Sequence, residues 1–100
     1  MKRGGAVYIM TNKIKTTLYV GVTSNLKLRV WQHKNNAYPE SFTAKYNCYS
    51  LVYYQGFDKI EDAITEEKRI KGGNRNAKIK LIEEQNPQWN DLWTEIENWN

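Results

Sequence analysis

Two short runs of β-branched and aromatic residues constrain the fold of this chain most strongly. AVYIMT at 6–11 and TLYVGV at 17–22 are separated by only five residues, and such runs favour β-strands. A connection this short joins antiparallel neighbours, so the two runs predict a β-hairpin. If the loop occupies 12–15, Tyr8 lies opposite Tyr19 on one face of the sheet. A register shifted by one residue would instead place the two tyrosines on opposite faces.

The segment after the hairpin predicts a helix over 25–36, for which TSN at 23–25 supplies N-cap candidates. At about 100° per residue, the positions that share the inward face of this helix are Leu26, Val30 and His33. Arg29 lies at the edge of that face and is one turn from His33, so these two side chains can converge. Trp31 falls on the other side of the helix, which predicts either a second contact surface or an exposed ring.

The rest of the chain predicts one more strand followed by helices. The expected elements are a polar loop at 38–47, a third strand at 49–55, a helix from Asp58 to the Gly72-Gly73 pair, a short helix at 75–85 and a last helix after Asn86-Pro87. Asp58 and Glu61 form a capping-box pattern. The expected inner faces are Ile60, Ala63, Ile64 and Ile70 in the helix from Asp58, and Trp89, Leu92, Trp93 and Ile96 in the last helix. The order ββαβααα predicts an α+β fold, in which a small three-stranded antiparallel sheet is flanked by helices.

The composition is that of a small globular protein. A chain of 100 residues is short for two separate cores, which predicts a single domain over 1–100. No apolar stretch approaches the roughly 18 residues of a membrane span, and the apolar run near the start is too short for a signal peptide. We therefore expect no membrane contact and a cytoplasmic location. Cys48 is the only cysteine, and we expect a small buried hydrophobe rather than a catalytic thiol, for which the chain offers no second histidine as base.

The distribution of charge indicates a polyanionic partner. The net charge is +4, the first acidic residue is Glu40, and the tract KRIKGGNRNAKIK at 68–80 carries six cations and no acid. Most of the remaining acids lie near 58–67 or from Glu83 onward. This asymmetry favours nucleic acid as the partner, with an ordinary solvated lysine surface as the alternative.

Glu67 occupies an unexpected position for a carboxylate. It falls about 20° from Ile60 around the helix axis, close to the middle of the apolar arc. A carboxylate there costs free energy unless a cation or hydrogen bonds satisfy it. Glu67 therefore either pairs with Arg29 or a lysine, or projects past the core into solvent, or serves as a metal ligand or acid/base group in a cleft. The residues alone leave these alternatives open.

The motifs together resemble those of the GIY-YIG nuclease superfamily. The resemblance is carried by AVY at 6–8, YVG at 19–21, an arginine ten residues after the second tyrosine and a distal glutamate. The blocks LYVGVTSNL, LRVWQH, SFTAKYN with LVYY, EKRIK and LIEEQNPQWNDLW are similar, in order and spacing, to the small standalone prokaryotic branch of that superfamily. The resemblance covers nearly the whole chain. It implies a metal-dependent endonuclease that hydrolyses DNA phosphodiester bonds with Mg²⁺ or Mn²⁺.

The resemblance also implies roles for individual residues. The implied catalytic residues are Tyr8, Tyr19, Arg29, His33 and Glu67, of which Glu67 is the metal ligand. Which of the two tyrosines or the histidine accepts the proton of the attacking water stays open, with Tyr8 favoured. The residues expected to contact the substrate are Gly21, Lys27, Lys34, Lys71, Arg75 and Lys78, although Lys71, Arg75 or Lys78 could each be plain helix surface.

The sequence departs from the family pattern at three places, the last of which is a pair of residues. Ala6 stands where the first tripeptide has glycine, which should matter little because alanine is nearly as small. Val22 stands where some relatives carry a lysine that assists the tyrosine, so that role is vacant or falls to Lys13 or Lys15. The Gly72-Gly73 pair replaces bulkier residues after the helix that carries Glu67.

The sequence leaves two other functions in competition with the endonuclease. One is a catalytically inactive nucleic-acid-binding module of the same fold, and the other is an adaptor whose basic surface meets an acidic protein. A standalone domain lacks added DNA-binding modules, so a nuclease of this kind should recognise DNA structure rather than sequence. Branched DNA and junctions between single and double strands are candidate substrates, a protein partner could supply targeting, and DNA repair is a candidate setting.

Overall fold

The computed structural model describes residues 4–99. The elements in chain order are β1 (Gly5–Thr11), β2 (Leu18–Thr23), α1 (Leu26–Lys34), α2 (Phe42–Lys45), β3 (Ser50–Phe57), α3 (Ile60–Gly72), α4 (Arg75–Gln85) and α5 (Trp93–Ile96). The strands form one antiparallel sheet in the order β2-β1-β3. The predicted α+β fold is confirmed, with α2 as an additional short helix.

The central strand β1 separates two apolar clusters, because its side chains alternate between the two faces of the sheet. Tyr8 lies on one face, where it packs in a cluster with Leu26 of α1. Val7 lies on the other face, in a cluster with Ala63 of α3. We call the side that carries Tyr8 the tyrosine face. Helix α1 therefore covers the tyrosine face, and α3 covers the opposite face.

The hairpin between β1 and β2 has a different register from the one predicted. Tyr8 pairs with Gly21, not with Tyr19, and the strands are joined by 12–17. The wider loop is held by Asn12, whose side-chain oxygen accepts hydrogen bonds from the backbone N–H groups of residues 16 and 17 at 2.8 and 3.1 Å. The shift is two residues, so both tyrosines remain on one face, as predicted.

Helix α1 follows the sequence prediction closely. Asn25 is the N-cap, and its side-chain oxygen accepts a hydrogen bond from the backbone N–H of Leu28 at 3.1 Å. The buried positions of α1 are Leu26, Val30 and His33. Trp31 is 50% exposed, which confirms that its ring lies outside the core.

The loop predicted at 38–47 contains helix α2. Ser41 caps it, because the Ser41 hydroxyl accepts a hydrogen bond from the backbone N–H of Ala44 at 3.2 Å. Thr43 is 1% exposed, so α2 contributes a polar side chain to the interior. The polar composition and Pro39 made this segment resemble a loop.

Helix α3 differs from the prediction at its start and on one face. It begins at Ile60 after Lys59, and no side chain caps it, so the Asp58–Glu61 capping box is wrong. Strand β3 extends to Phe57, which leaves Asp58 next to the strand end. Ile64 is 36% exposed and does not belong to the inner face, whereas Gly73 ends the helix as predicted.

The last predicted helix is shorter than expected. Asn86 is the C-cap of α4, and its side-chain nitrogen donates hydrogen bonds to the backbone oxygens of Val52 and Asn90 at 3.2 and 2.8 Å. Trp89 has a φ of 57°, which interrupts helical geometry. These contacts hold the segment after α4 in an irregular path until α5, and the tryptophans of the predicted stripe are half-buried rather than fully buried.

Two expectations drawn from composition can be compared with the structure. Cys48 is fully buried in the apolar cluster on the tyrosine face, which confirms the expected hydrophobic role. Across residues 4–99, none of the helices combines the length and apolar character needed to cross a lipid bilayer. The assignment of one domain to 1–100 stays a prediction.

Candidate active site

Three rings from two strands and one helix meet on the tyrosine face. The ring centroids of Tyr8 and Tyr19 lie 6.2 Å apart, and each lies 5.7 Å from that of His33. Tyr8 and His33 are buried, and Tyr19 is half-buried. Strand alternation brings the two tyrosines together, and the inward face of α1 presents the histidine to them. Three of the five predicted catalytic residues therefore form one cluster.

His33 links Tyr8 to helix α2 by hydrogen bonds. The Tyr8 hydroxyl lies 2.8 Å from His33 Nε2, and the Thr43 hydroxyl lies 2.8 Å from His33 Nδ1. The Ser41 hydroxyl continues the chain at 3.1 Å from that of Thr43. Both ring nitrogens are thus occupied, which fixes the orientation of the imidazole between a donor and an acceptor.

Arg29 completes this cluster with an unsatisfied donor. Its Nε is buried and has no hydrogen-bond partner among the described residues. A buried donor without a partner is costly, so a bound acceptor at this position would be stabilised. The guanidinium charge of Arg29 acts to lower the pKa of both Tyr8 and His33, as expected of a cation beside them.

Burial sets the protonation states of Tyr8 and His33. Burial is the main cause that raises the pKa of Tyr8 well above its usual value, although the Arg29 guanidinium beside it acts in the opposite direction. Burial, followed by the positive charge of Arg29, lowers the pKa of His33 to about 4. At neutral pH the resting site therefore holds a neutral phenol and a neutral imidazole.

The lack of a side chain at Gly21 leaves the space that the Tyr8 ring occupies. A Cβ at Gly21 would lie 2.5 Å from Cζ and Oη of Tyr8 and 2.9 Å from Cε2 of Tyr19. Glycine is buried here beneath both rings, so the position must lack a side chain for the tyrosines to meet. The predicted contact between Gly21 and a substrate stays a prediction.

Glu67 lies on α3, which covers the face of the sheet opposite the tyrosine face. It is one turn after Ala63 and close to one turn before Ile70, and both of these residues are buried against the sheet. Its side chain is 12% exposed, and its carboxylate pairs with Lys71 at 2.7 Å. The structure thus excludes projection into solvent and supports the alternative of pairing with a lysine. Within residues 4–99, no hydrogen bond or ion pair joins Glu67 to the cluster of Tyr8, Tyr19, Arg29 and His33.

The chemistry of Glu67 fits a metal that needs few protein ligands. Residues 4–99 contain no group of three or more histidine, cysteine or acidic side chains that could hold a metal ion. Mg²⁺ usually keeps several waters and is bound through one or two carboxylates together with substrate phosphates. The largely shielded Glu67 carboxylate fits such a single-ligand arrangement, with Lys71 as a competitor for the same oxygens.

The predicted phosphate-contacting cations all have partners inside the protein. Lys27 donates a hydrogen bond to the backbone oxygen of Trp99 at 2.7 Å. Lys34 pairs with the carboxylate of Asp91. Lys71 pairs with the carboxylate of Glu67 at 2.7 Å. Arg75 donates a hydrogen bond to the backbone oxygen of Lys15 at 3.0 Å. Lys78 donates one to the backbone oxygen of Gly73 at 2.7 Å. Their contact with a substrate stays a prediction, and each would have to share or exchange its present partner.

Thr43 is the site residue that sequence reasoning missed. It belongs to SFTAKYN, a block that resembles the family, but the segment was interpreted as a loop without a chemical role. The Ser41 cap followed by a buried threonine is the signal that could have identified it. Thr43 supplies the second hydrogen bond to His33, at 2.8 Å.

Comparison with known proteins decides the family. The family model described as the GIY-YIG catalytic domain matches residues 4–80, which include every residue of the cluster and Glu67. The chain belongs to the GIY-YIG family. Its membership places it in a nuclease superfamily whose members act on nucleic acid and generally depend on a divalent metal.

Several curated bacterial proteins are similar to this GIY-YIG chain. A UPF0213 protein of Syntrophus aciditrophicus is 33% identical over 82 residues, which cover 82% of this chain and 92% of the relative. A UPF0213 protein of Clostridium perfringens is 37% identical over 76 residues, covering 76% and 80%, and one of Staphylococcus saprophyticus is 35% identical over 78 residues, covering 77% and 94%. No solved structure shows a significant match. These relatives confirm the resemblance to a small standalone branch of the superfamily.

Proposed function

We propose that this protein is a divalent-metal-dependent endonuclease that hydrolyses phosphodiester bonds of DNA. The observation that carries the proposal is the buried Nε of Arg29, which lacks a partner among residues 4–99 and lies beside the hydrogen-bonded pair of Tyr8 and His33. A guanidinium offers a planar pair of donors that matches phosphate oxygens. The scissile phosphate would satisfy the unpaired donor and place its phosphorus next to the phenol.

The hydrogen bonds around His33 support a route for the proton of the attacking water. In this proposal Tyr8 accepts that proton while its own hydroxyl proton passes to Nε2 of His33, which lies 2.8 Å away. In this relay Nδ1 of His33 carries the ring proton and donates a hydrogen bond to the Thr43 hydroxyl, 2.8 Å away, which leaves Nε2 free to receive the phenol proton. A bound phosphate would neutralise Arg29 and so weaken one cause of the low histidine pKa. The transfer becomes easier when substrate is present.

Glu67 is the proposed metal ligand. The scissile phosphate would have to lie at the β2 edge of the sheet, where α3 packs, for a Mg²⁺ or Mn²⁺ held by Glu67 to stabilise negative charge on it and on the departing 3′ oxygen. Glu67 is the carboxylate that would hold the cation, and Lys71 would release the carboxylate or share it. The role of this chain is to keep that carboxylate shielded from bulk water on α3, since shielding strengthens its attraction for a cation.

The finer properties of this function are also proposals. DNA is the proposed substrate, recognised through its structure rather than its sequence, and branched DNA and junctions between single and double strands are the leading forms. A cytoplasmic location, a role in DNA repair and targeting by a protein partner stay predictions from the sequence.

A cleavage panel with a matched arginine variant tests the proposal. Duplex, flap, fork, junction and single-stranded DNA are incubated with the protein in Mg²⁺, in Mn²⁺ or in EDTA. We expect metal-dependent nicking of at least one substrate, and a loss of about 100-fold or more in Arg29→Lys, which keeps the charge but not the planar pair of donors. Cleavage that persists in EDTA, or that Arg29→Lys leaves unchanged, would contradict the proposal.

One contact favours the alternative of an inactive nucleic-acid-binding module. The ion pair between Glu67 and Lys71 occupies the proposed metal ligand. In that case DNA binding would persist, with the salt dependence of phosphate contacts, and no metal would produce cleavage of any substrate in the panel. The same experiment therefore separates the two functions.

A further inference from the structure

A row of aromatic rings leads from the buried cluster to the surface. Tyr8 lies 6.2 Å from Tyr19, Tyr19 lies 5.8 Å from Phe42, and Phe42 lies 4.7 Å from Tyr46, measured between ring centroids. We call these four side chains the aromatic row. Its inner end is the hydroxyl that contacts His33, and its outer end is on α2 and its C-cap.

The outer two rings of the row are not required by the core. Phe42 is 46% exposed and Tyr46 is 42% exposed, whereas α2 is anchored by the buried Thr43. Each ring offers an apolar surface to solvent next to the proposed site. Exposed aromatic rings in contact with one another are a typical platform on which nucleic-acid bases stack.

The charge around the row favours a nucleic-acid occupant over a protein one. Lys45 Nζ lies 5.4 Å from the centroid of the Tyr46 ring, and Arg29 lies at the inner end of the row. Residues 4–57 carry six lysines and arginines and one acidic residue, Glu40, which lies two residues before Phe42. A strand that follows the row would therefore have cations for its phosphates at both ends of the row, as well as rings for its bases.

We propose that the two outer rings of the aromatic row, Phe42 and Tyr46, bind unpaired nucleotides next to the scissile phosphate, so that the substrate class is DNA with a single-stranded segment at the cleavage site. This inference rests on the proposed function for the position of the scissile phosphate at Arg29. Bases inside a duplex are already stacked on their neighbours, and only splayed bases can stack on Phe42 and Tyr46. The row thus selects unpaired DNA through its π surfaces without reading sequence.

Binding without metal tests the inference independently of cleavage. The affinity of the protein for a short fluorescent single strand and for the matching blunt duplex is measured by anisotropy in EDTA. Phe42→Leu and Tyr46→Leu keep apolar bulk but remove the π surface, and we expect each to weaken single-strand binding by about 5- to 150-fold. Duplex binding should change by no more than about twofold, because the phosphate contacts remain.

Two further variants make the comparison specific. Phe42→Tyr retains a ring and should bind the single strand within about twofold of the wild type. Tyr38→Leu removes a ring that is 57% exposed but lies outside the row, and it should have no effect on single-strand binding. Thermal unfolding of each variant identifies any that fails to fold, and the Phe42 and Tyr46 variants give separate tests of the same inference.

The outcomes distinguish this inference from the proposed function. Unchanged single-strand binding in folded Phe42→Leu and Tyr46→Leu overturns the inference, as does an equal loss of duplex binding. If no substrate is cleaved in any metal but the leucine variants lose single-strand affinity, the proposed function fails while the row still binds unpaired nucleotides. If cleavage occurs and the leucine variants cleave flaps and blunt duplexes as the wild type does, the inference alone fails.

Discussion

The Tyr8 hydroxyl lies 2.8 Å from Nε2 of His33, and both side chains are buried. The phenol comes from the central strand and the imidazole from α1, so the hydrogen bond joins the sheet to the helix that covers it. Because burial raises the pKa of Tyr8 and lowers that of His33, neither group is charged at neutral pH before substrate binds. Transfer of the phenol proton to His33 alone would create a buried phenolate and a buried imidazolium, so the proposed relay requires Tyr8 to accept the proton of water as it gives up its own.

Removal of the Tyr8 hydroxyl should separate catalysis from folding. We expect Tyr8→Phe to lower cleavage by about 100-fold or more, since it removes the proposed acceptor of the water proton. The loss of one hydrogen bond should reduce the free energy of unfolding by about 1–2 kcal/mol. Cleavage rates and urea unfolding measure the two effects. Tyr53→Phe is the matched control, because Tyr53 is also buried but packs in the cluster on the opposite face, and it should cleave at the rate of the wild type.

The low pKa of buried His33 should make the protein less stable in mild acid. Its pKa is lowered to about 4 in the folded state from 6.5, so between these values the unfolded chain binds a proton that the folded protein does not. The free energy of unfolding must therefore fall as the pH drops from about 6.5 to about 4, by an amount on the order of 3 kcal/mol. Denaturant unfolding of the wild type and of His33→Gln across this range isolates the contribution. A constant difference between the two proteins would show that His33 does not titrate in this way.

Two glycines offer a matched test of the contact beneath Tyr8. A Cβ at Gly21 would lie 2.5 Å from Tyr8, whereas one at Gly72 would meet nothing within 4 Å. Gly21→Ala must displace the ring, and we expect a loss of about 1–3 kcal/mol in the free energy of unfolding together with a fall in cleavage. Gly72→Ala lies in the last turn of α3 and should be neutral or stabilising by up to about 1 kcal/mol. Equal stability of the two variants would contradict the observed packing.

The spacing of apolar residues and the residue types of each segment predicted the sheet and most helices, because those elements depend on local patterns. The alternation of side chains along the strands placed Tyr8 and Tyr19 on one face, and the 3.6-residue period placed His33 on the inward face of α1. The predicted hairpin register was wrong because the register depends on hydrogen bonds that the loop backbone donates to the side-chain oxygen of Asn12. The last helix was overextended because Asn86 reaches across to Val52 of β3. Such contacts between distant segments do not change the regular spacing of apolar residues, so the sequence pattern does not predict them.

The residues of the candidate site that belong to a sequence motif could be predicted. Those whose contacts depend on how distant elements pack could not. The two tyrosines, Arg29 and His33 follow from the family pattern. Thr43 was missed because its hydrogen bond to His33 depends on the orientation of α2. Glu67 was recognised from its place on the apolar arc. The sequence limited its partner to Arg29 or a lysine, and the structure shows that the partner is Lys71.

The most direct test of the account compares two neighbouring glutamates. Glu66 pairs with Arg69 at 2.6 Å, and Glu67 pairs with Lys71 at 2.7 Å, so Glu66→Gln and Glu67→Gln each remove one charge and one ion pair from the same turn of α3. The measurement is the rate of DNA nicking as a function of Mg²⁺ concentration. We predict that Glu67→Gln loses about 100-fold or more in rate at every Mg²⁺ concentration, while Glu66→Gln stays within about threefold of the wild type. Equal rates in the two variants would contradict the assignment of Glu67 as the metal ligand and, with it, the proposed mechanism of hydrolysis.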